Sequence, residues 1–235
     1  MTDATPRARR GRSAEGRAEV RRDLVAAAVE LFRTKGYEDT TVDDIAAAAG
    51  VGRRTFFRYF RSKEHAISPD HETGLARVAE IFAGAQPGEP TASLVLRAGE
   101  TVFDLYTDDP QLSVARFRLT HEVPALRDRE SASVDHYRRL FIRQVRERFD
   151  GGGGRGDDTA ELRAAVIGAA VVAAHNLALR AWLAAGAPAD GIDACRARFR
   201  RVADMLPVEP DGGLHIVAQR LEAAVGRLER RTTAT

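Results

Sequence analysis

The segment from Thr159 to Ala185 constrains the fold of this chain more than any other part of its sequence. Its residues are apolar on nearly every side of a helix, and such a helix has to be buried all round. The uninterrupted apolar run, from Ala164 to Ala174, is shorter than the roughly 20 residues that a membrane span needs. The sequence therefore predicts a soluble, cytoplasmic protein with no membrane partner, in which other helices surround this segment.

The rest of the chain also has the periodicity of helices. Apolar residues recur at steps of three and four, and no segment shows the alternation that is typical of a β-strand. Only 6% of the residues are aromatic while 44% are hydrophobic, which favours closely packed helices over a β-sandwich. The fold class predicted is all-α, with helices over residues 20–35, 42–49, part of 50–60, 62–83, 91–106, 110–119, 124–149, 159–185, 192–206 and 214–228.

The positive charge of the chain is concentrated in its N-terminal part. Residues 1–65 carry fourteen basic and ten acidic side chains, whereas the remainder carries twenty-two basic and twenty-four acidic ones. This distribution indicates an anionic partner for the N-terminal part. Residues 1–17 contain five arginines and no periodic apolar positions, so they are predicted to form a disordered basic arm. The arm either contacts DNA or is a solvated tail that makes no such contact, and the sequence favours neither alternative.

Two short helices around a glycine turn have the proportions of a helix-turn-helix. The first follows the capping residue Thr41 and ends at Gly50, and Phe56 and Phe60 of the second can pack inward. The outward positions of the second helix carry donors suited to DNA: Arg53, Arg54, Thr55, Arg58 and Tyr59. Arginine can bind guanine through two hydrogen bonds, and hydroxyl groups suit phosphates. The alternative is a helical hairpin with an arginine-rich, solvated face.

Residues 20–66 resemble the TetR family of transcriptional repressors almost without a gap. The resemblance is carried by Leu31-Phe32-Arg33-Thr34-Lys35-Gly36-Tyr37, Thr40-Thr41-Val42-Asp43-Asp44-Ile45-Ala46, Ala49-Gly50-Val51 to Phe60, and Ser62-Lys63-Glu64. It implies an all-α homodimer whose N-terminal three-helix domain, residues 18–65, binds a palindromic operator in double-stranded DNA. It also implies that the C-terminal helical part, residues 66–235, binds a small-molecule effector and dimerises.

The resemblance assigns roles to single residues as well. Positions that face bases in the family are matched by Arg53, Arg54 and Arg58. Positions that contact phosphates are matched by Thr41, Thr55, Tyr59 and Lys63. Gly52 stands where the family usually has a capping serine or threonine, and Phe57 replaces a frequent tyrosine. The string from Arg53 to Phe60 further resembles actinobacterial members that include mycofactocin-system regulators, some linked to acyl-CoA-like effectors.

A polar pair, His175 and Asn176, interrupts the apolar segment 159–185, and a buried polar pair needs partners. The sequence leaves open whether the core, a dimer interface or a ligand supplies them. Six more residues could line an apolar pocket, although aromatic residues at helical spacing usually belong to a core: Phe103, Tyr106, Phe117, His121, Tyr137 and Phe141. These eight residues form the candidate ligand site.

The dimer is predicted to form a four-helix interface from the 159–185 helix and a more C-terminal one, 189–206 or 212–229. A twofold dimer would match a palindromic operator, because each recognition helix reads one half-site. No catalytic constellation is found, so neither an enzyme nor a cofactor or metal site is expected. The run from Gly151 to Gly156 fits G-x-G-x-x-G, but no strand precedes it, so it is predicted to be a linker.

The function predicted from these patterns is a ligand-responsive, sequence-specific DNA-binding regulator. It is expected to be a repressor that a small apolar or acyl-type effector releases from a palindromic operator. The alternative is a helical small-molecule-binding protein or enzyme whose helix-turn-helix is vestigial.

Overall fold

The computed structural model describes residues 13–86, 88–150 and 158–206 of the chain. Every regular element within these ranges is a helix, which confirms the all-α prediction. The helices are α1 (Ala14–Thr34), α2 (Val42–Ala48), α3 (Arg53–Tyr59), α4 (Lys63–Ile67), α5 (His71–Ala83), α6 (Thr91–Thr107), α7 (Pro110–Glu122), α8 (Pro124–Asp150), α9 (Asp158–Ala184), α10 (Gly191–Arg200) and a final 3-10 helix (Arg201–Met205). The first part of the predicted arm (1–12), the predicted linker 151–156 and the predicted helix 214–228 lie outside the described residues.

Helix α1 begins earlier than the sequence predicted. The side-chain oxygen of Ser13 accepts a hydrogen bond from the backbone N–H of Gly16 at 3.0 Å. A serine at this position satisfies one of the free N–H groups of the first turn, so the helix can start at Ala14. The assignment of residues 14–17 to a disordered arm is therefore wrong.

The continuous helix predicted over 62–83 is also wrong, because it is broken into α4 and α5. Ser68 is extended, with φ −67° and ψ 142°, as is typical of a residue that precedes proline. After Pro69, the Asp70 side chain accepts a hydrogen bond from the Thr73 backbone N–H at 3.1 Å and starts a new helix. The break turns the chain from the N-terminal helices towards the C-terminal bundle.

Helices α1 to α4 form an N-terminal core, to which α7 and α8 each contribute a leucine. Leu24, Ile45 and Phe56 are fully buried in it, and Phe60 is 1% exposed. Between α2 and α3, Gly50 has a φ of +66°, a left-handed conformation that glycine adopts without strain. Helix α2, this turn and α3 form the helix-turn-helix that the sequence predicted.

The C-terminal helices form a second core around α9, which packs against α6, α8 and α10. The largest side chains that are fully buried in this core are Phe103, Phe141 and Phe199. Helices α8 and α9 approach closely at Gly168, where a Cβ atom would lie 2.9 Å from the backbone nitrogen of Ile142. Glycine is required at this crossing because any side chain would meet the backbone of the neighbouring helix.

Helix α9 is not buried on every side by its own chain. Exposed apolar residues follow one another at steps of three and four, which places them on one side of the helix: Leu162, Val166, Ala169, Ala173 and Leu177. By length and composition, Thr159–Ala184 could cross a membrane, which corrects the expectation that this segment is too short. The core helix of a soluble protein passes the same test.

Candidate DNA-binding face and effector cavity

Helix α3 has one buried face and one exposed face that carries arginines. Phe56 lies at the centre of the N-terminal core, so the helix presents its opposite side to solvent. This exposed side carries the three predicted base-facing residues, Arg53, Arg54 and Arg58. Three long guanidinium side chains on one face of a helix that protrudes from a small core can enter the major groove of DNA.

The arginines of α3 make only weak contacts within the protein, and these would be lost when the arginines bind DNA. Arg53 pairs with Asp43 at 2.9 Å and lies over the ring of Phe57, 5.2 Å from its centroid. Both members of the ion pair are more than half exposed, and such pairs contribute about 0–1 kcal/mol. Arg58 lies over the ring of Tyr59 at 5.2 Å. Exchange of these contacts for phosphate or guanine groups therefore costs little.

The predicted phosphate contacts differ in how free they are. Thr41 caps α2: its hydroxyl oxygen accepts from the Asp44 backbone N–H at 3.1 Å, and its hydroxyl donates to the Asp44 carboxylate at 2.8 Å. Hydrogen bonds from Lys35 and Thr41 hold the pKa of Asp44 well below its usual range. Thr55 and Tyr59 are half-buried at the edge of the arginine face. Their contact with phosphates stays a prediction.

Lys63 is engaged inside the N-terminal domain rather than directed to solvent. Its ammonium group donates to the backbone carbonyls of Tyr37 at 2.6 Å, Thr40 at 3.1 Å and Glu38 at 3.4 Å. It also lies 4.1 Å from the centroid of the Tyr37 ring. This arrangement, which we term the Lys63 clamp, holds the turn that joins α1 to α2. Its phosphate contact therefore stays a prediction, and the structure gives this lysine a structural role that the sequence did not indicate.

A cavity of about 150 Å³ opens between α7, α8, α9 and the break that follows α4. Four of the predicted ligand residues line it: Tyr106, Phe117, His121 and Asn176. A smaller cavity of about 20 Å³ adjoins it and is lined by the remaining predicted residues Tyr137, Phe141 and His175. The two cavities share the walls formed by Tyr106, Glu130, Val134 and Asn176. The structure thus brings seven of the eight predicted residues to adjoining spaces.

Phe103 is the exception, because it lines neither of these two cavities. It is fully buried, stacks on the His175 ring at 4.1 Å and meets the edge of Phe199 at 5.6 Å. His175 is therefore packed on one side by the core and faces the smaller cavity on the other. Burial lowers the pKa of His175 to about 4, so its imidazole is neutral at physiological pH.

The polar wall of the larger cavity was missed by reasoning from the sequence. Arg116 of α7 lines it, and so does Glu130 of α8, whose carboxylate oxygen lies 3.4 Å from Nε2 of His71. Burial lowers the pKa of Arg116 to about 10. A signal was present, because Arg116 shares one side of α7 with Ser113 and with Thr120, three and four residues away.

Helix α7 belongs to both parts of the molecule. Leu119 is buried in the N-terminal core, together with Leu126 from the first turn of α8. On the same helix Arg116 and Phe117 line the larger cavity. A shift of α7 caused by an occupant of the cavity would therefore reach the core that supports α3.

Comparisons with known proteins were consistent with this architecture. The family model described as bacterial regulatory proteins, tetR family, matches residues 24–65, and the one described as MftR C-terminal domain matches residues 89–207. The transcriptional regulator TcmR of Streptomyces glaucescens is 36% identical over 117 residues, which are 45% of this chain and 50% of that protein. A protein named as a mycofactocin biosynthesis transcriptional regulator, MftR, of Mycobacterium tuberculosis is 30% identical over 125 residues, 53% of this chain and 63% of that protein. The matches thus span between half and two thirds of these relatives.

Two solved structures share the fold. A TetR-family transcriptional regulator from Syntrophomonas wolfei has a TM-score of 0.56 at 18% identity and covers 80% of this chain and 96% of its own. FadR from Bacillus subtilis in complex with stearoyl-CoA has a TM-score of 0.52 at 18% identity, with 77% of this chain and 97% of its own covered. At this level of identity the likeness shows the common fold.

Proposed function

Because this chain belongs to the TetR family of bacterial regulatory proteins, we propose that it is a ligand-responsive, cytoplasmic regulator of transcription. It binds a palindromic operator as a homodimer and acts as a repressor. A small apolar or acyl-type effector enters the cavity of the C-terminal helices and releases the protein from DNA.

The observation that carries the proposal is the arginine face of α3. Three arginines point away from a core built on Phe56 and Phe60, on the second helix of a helix-turn-helix. These solvated guanidinium groups are donors suited to bases and phosphates, and they stand on the side of the motif that enters the major groove. Since the N-terminal part is also the positively charged part of the chain, long-range attraction to DNA acts in the same direction.

The homodimer is supported by the exposed apolar side of α9. Leu162, Val166 and Leu177 are 66%, 54% and 60% exposed, although they lie on a helix that is otherwise the centre of a core. A second copy related by a twofold axis would cover this side with the same residues and so form a closed, self-complementary interface. The two α3 helices of such a dimer would then read half-sites about one helical turn apart, ~34–36 Å.

The coupling between effector and DNA is supported by the double role of α7. An occupant that presses on Phe117 or Arg116 displaces a helix whose Leu119 is part of the N-terminal core. The cavity wall at Arg116 and the core contact at Leu119 are separated by one turn of α7. The displaced and undisplaced positions of α7 define two states of the dimer. A ligand that binds one state more tightly than the other changes the fraction of dimers that can bind DNA.

A mobility-shift experiment with the DNA directly upstream of the chain's own coding region tests the proposal. The wild-type protein is expected to shift this DNA at concentrations that leave an unrelated duplex of equal length free. Arg58→Ala is expected to lose about tenfold to a hundredfold in affinity and to relax the base preference at one position per half-site. Arg118→Ala, an exposed arginine of α7, is the matched control and should bind as the wild type does.

The outcomes separate the regulator from its alternative. Equal binding of the upstream duplex and the unrelated one would mean that the helix-turn-helix reads no sequence, as expected for a helical binding protein or enzyme with a vestigial motif. Retained specificity in Arg58→Ala would remove only the assignment of Arg58 as a base reader.

A further inference from the structure

The larger cavity contains a positive charge, that of Arg116, which no ion pair within the described residues neutralises. Nε of Arg116 is buried, and within the part of the chain that the structure describes it has no hydrogen-bond partner. Within those same residues, Arg116 also makes no ion pair. A buried guanidinium group without a counter-ion is costly, so its presence on a cavity wall calls for an anion in the cavity.

The surroundings of Arg116 strengthen this positive potential. Arg127 and Arg180, both exposed, stand at the mouth of the same cavity. Arg21 of α1 adds its positive charge to the field around Arg116, and the carboxylates of Asp109 and Glu130 act in the opposite direction. The one carboxylate in the described wall is that of Glu130, and it is engaged by His71 at 3.4 Å. Three arginines against one glutamate make this lining a site for an anion rather than for a cation.

The remaining wall sets the shape and polarity of that anion. Phe117, Leu179 and Leu183 supply apolar surface, and the two hydroxyl groups beside Arg116 are already used. Ser113 donates to the Tyr106 carbonyl at 2.9 Å, and Thr120 donates to the Arg116 carbonyl at 2.9 Å. Arg116 is then the charged side chain that can bind an anion within the cavity. We therefore expect the ligand to have a single small anionic group.

Volume limits the ligand further. A closed cavity of roughly 150 Å³ accommodates a molecule about the size of benzene. The cavity found here has this volume but is open at its mouth, so a longer chain can extend beyond it. The smaller cavity continues the space behind Tyr106 and Asn176 and is lined by Phe141 and Val171. A short aliphatic tail that passes between these walls would reach apolar surface on both sides.

We propose that the cavity binds a short- to medium-chain monocarboxylate, whose carboxylate pairs with Arg116 and whose tail lies along Phe117 and Leu179 towards the smaller cavity. The identification of this ligand as the effector rests on the proposed function, whereas its binding does not. The guanidinium group of arginine suits a carboxylate through two parallel hydrogen bonds.

Isothermal titration of the full-length protein without DNA tests the proposal, with octanoate as the probe and octanamide as its uncharged counterpart. The wild type is expected to bind octanoate about tenfold or more tightly than octanamide, since hydrogen bonds to a charged group are stronger than neutral ones. Arg116→Gln is expected to lose this preference. Arg118→Gln, exposed on the same helix, is the matched control and should keep it.

Arg116→Gln removes an unpaired buried charge, so it is expected to fold and to melt no lower than the wild type. Arg116→Lys should keep part of the preference for octanoate, because a positive charge remains. Equal binding of octanoate and octanamide by the wild type, or no binding of octanoate at all, would overturn the proposal and needs no variant. The same holds if Arg116→Gln binds octanoate as tightly as the wild type does.

The failure of this proposal can be told from failure of the proposed function. Binding of octanoyl-CoA with no binding of octanoate would refute the carboxylate site and leave an acyl-responsive regulator in place. Binding of octanoate through Arg116 by a protein that reads no DNA sequence would support the site and remove its regulatory meaning.

Discussion

Replacement of Lys63 by methionine tests whether this residue holds the N-terminal domain together or contacts DNA phosphates. Methionine keeps the length of the apolar stem and removes the ammonium group that the Lys63 clamp depends on. Two of its three hydrogen bonds, at 2.6 and 3.1 Å, are of normal length, while the third, at 3.4 Å, is long. The change therefore removes two good charge-assisted bonds from a side chain that is half-buried.

The expected loss of stability follows from these contacts. Each hydrogen bond to a charged group contributes about 1.5–3 kcal/mol, and solvent screening of the half-exposed ammonium reduces the sum of two to about 2 kcal/mol. For a chain of this size that loss lowers Tm by about 4–8 °C. Urea unfolding followed by circular dichroism measures it. Lys35→Met is the control, because its exposed pair with Asp44 should contribute less than about 1 kcal/mol.

The salt dependence of DNA binding distinguishes the two roles of Lys63. If the residue acts through the clamp, Lys63→Met leaves the slope of log affinity against log salt concentration unchanged. If it contacts a phosphate, the slope falls by about 0.9 for each contact removed. A variant with wild-type stability and a reduced slope would refute the clamp and support the assignment that the family resemblance implies.

Two further predictions concern the dimer and the buried histidine. Val166→Asp places a charge on the exposed apolar side of α9 and is expected to convert dimers into monomers without unfolding the chain. Light scattering measures the change in mass. A variant that stays dimeric would exclude this side of α9 as the interface. Because the pKa of His175 is lowered to about 4 when folded, the unfolded chain binds the proton more readily, so stability should fall as pH drops through the range between about 6.5 and about 4. This loss should reach about 2 kcal/mol between roughly pH 7 and pH 5 and be absent from His175→Gln in urea unfolding at both pH values; an equal loss in the variant would assign it to other groups.

The N-terminal helices could be predicted because their signals are local. The cap of α2 joins Thr41 to Asp44, and the inward pair Phe56 and Phe60 is one helical turn apart. Such contacts depend on residues within four positions of each other, which a sequence displays directly. The break before α5 was equally readable, since Ser68 precedes a proline, and only the strength of the helical pattern around it obscured the signal.

The cavity could be predicted only in part, because its walls are set by distant parts of the chain. Phe103 and Tyr106 lie on the same helix with similar chemistry, yet only Tyr106 lines the cavities. The difference is made by Phe199 of α10, which packs on Phe103 at 5.6 Å. In the same way, the unpaired state of Arg116 and the partners of Lys63 depend on elements that meet only in three dimensions.

The double membership of α7 has a consequence for the exchange of modules between regulators. A chimera joined just after α4 would give the N-terminal core foreign partners in place of Leu119 and Leu126, which are 6% and 4% exposed. Loss of one such leucine costs about 2–5 kcal/mol, a large share of the ~5–15 kcal/mol that stabilises a typical domain. A junction placed after the first turn of α8 would preserve both leucines, but it would carry the guanidinium group of Arg116 along. A biosensor that takes its DNA-binding part from this chain therefore also takes one wall of the ligand cavity. DNA specificity and ligand specificity cannot be exchanged independently at this junction.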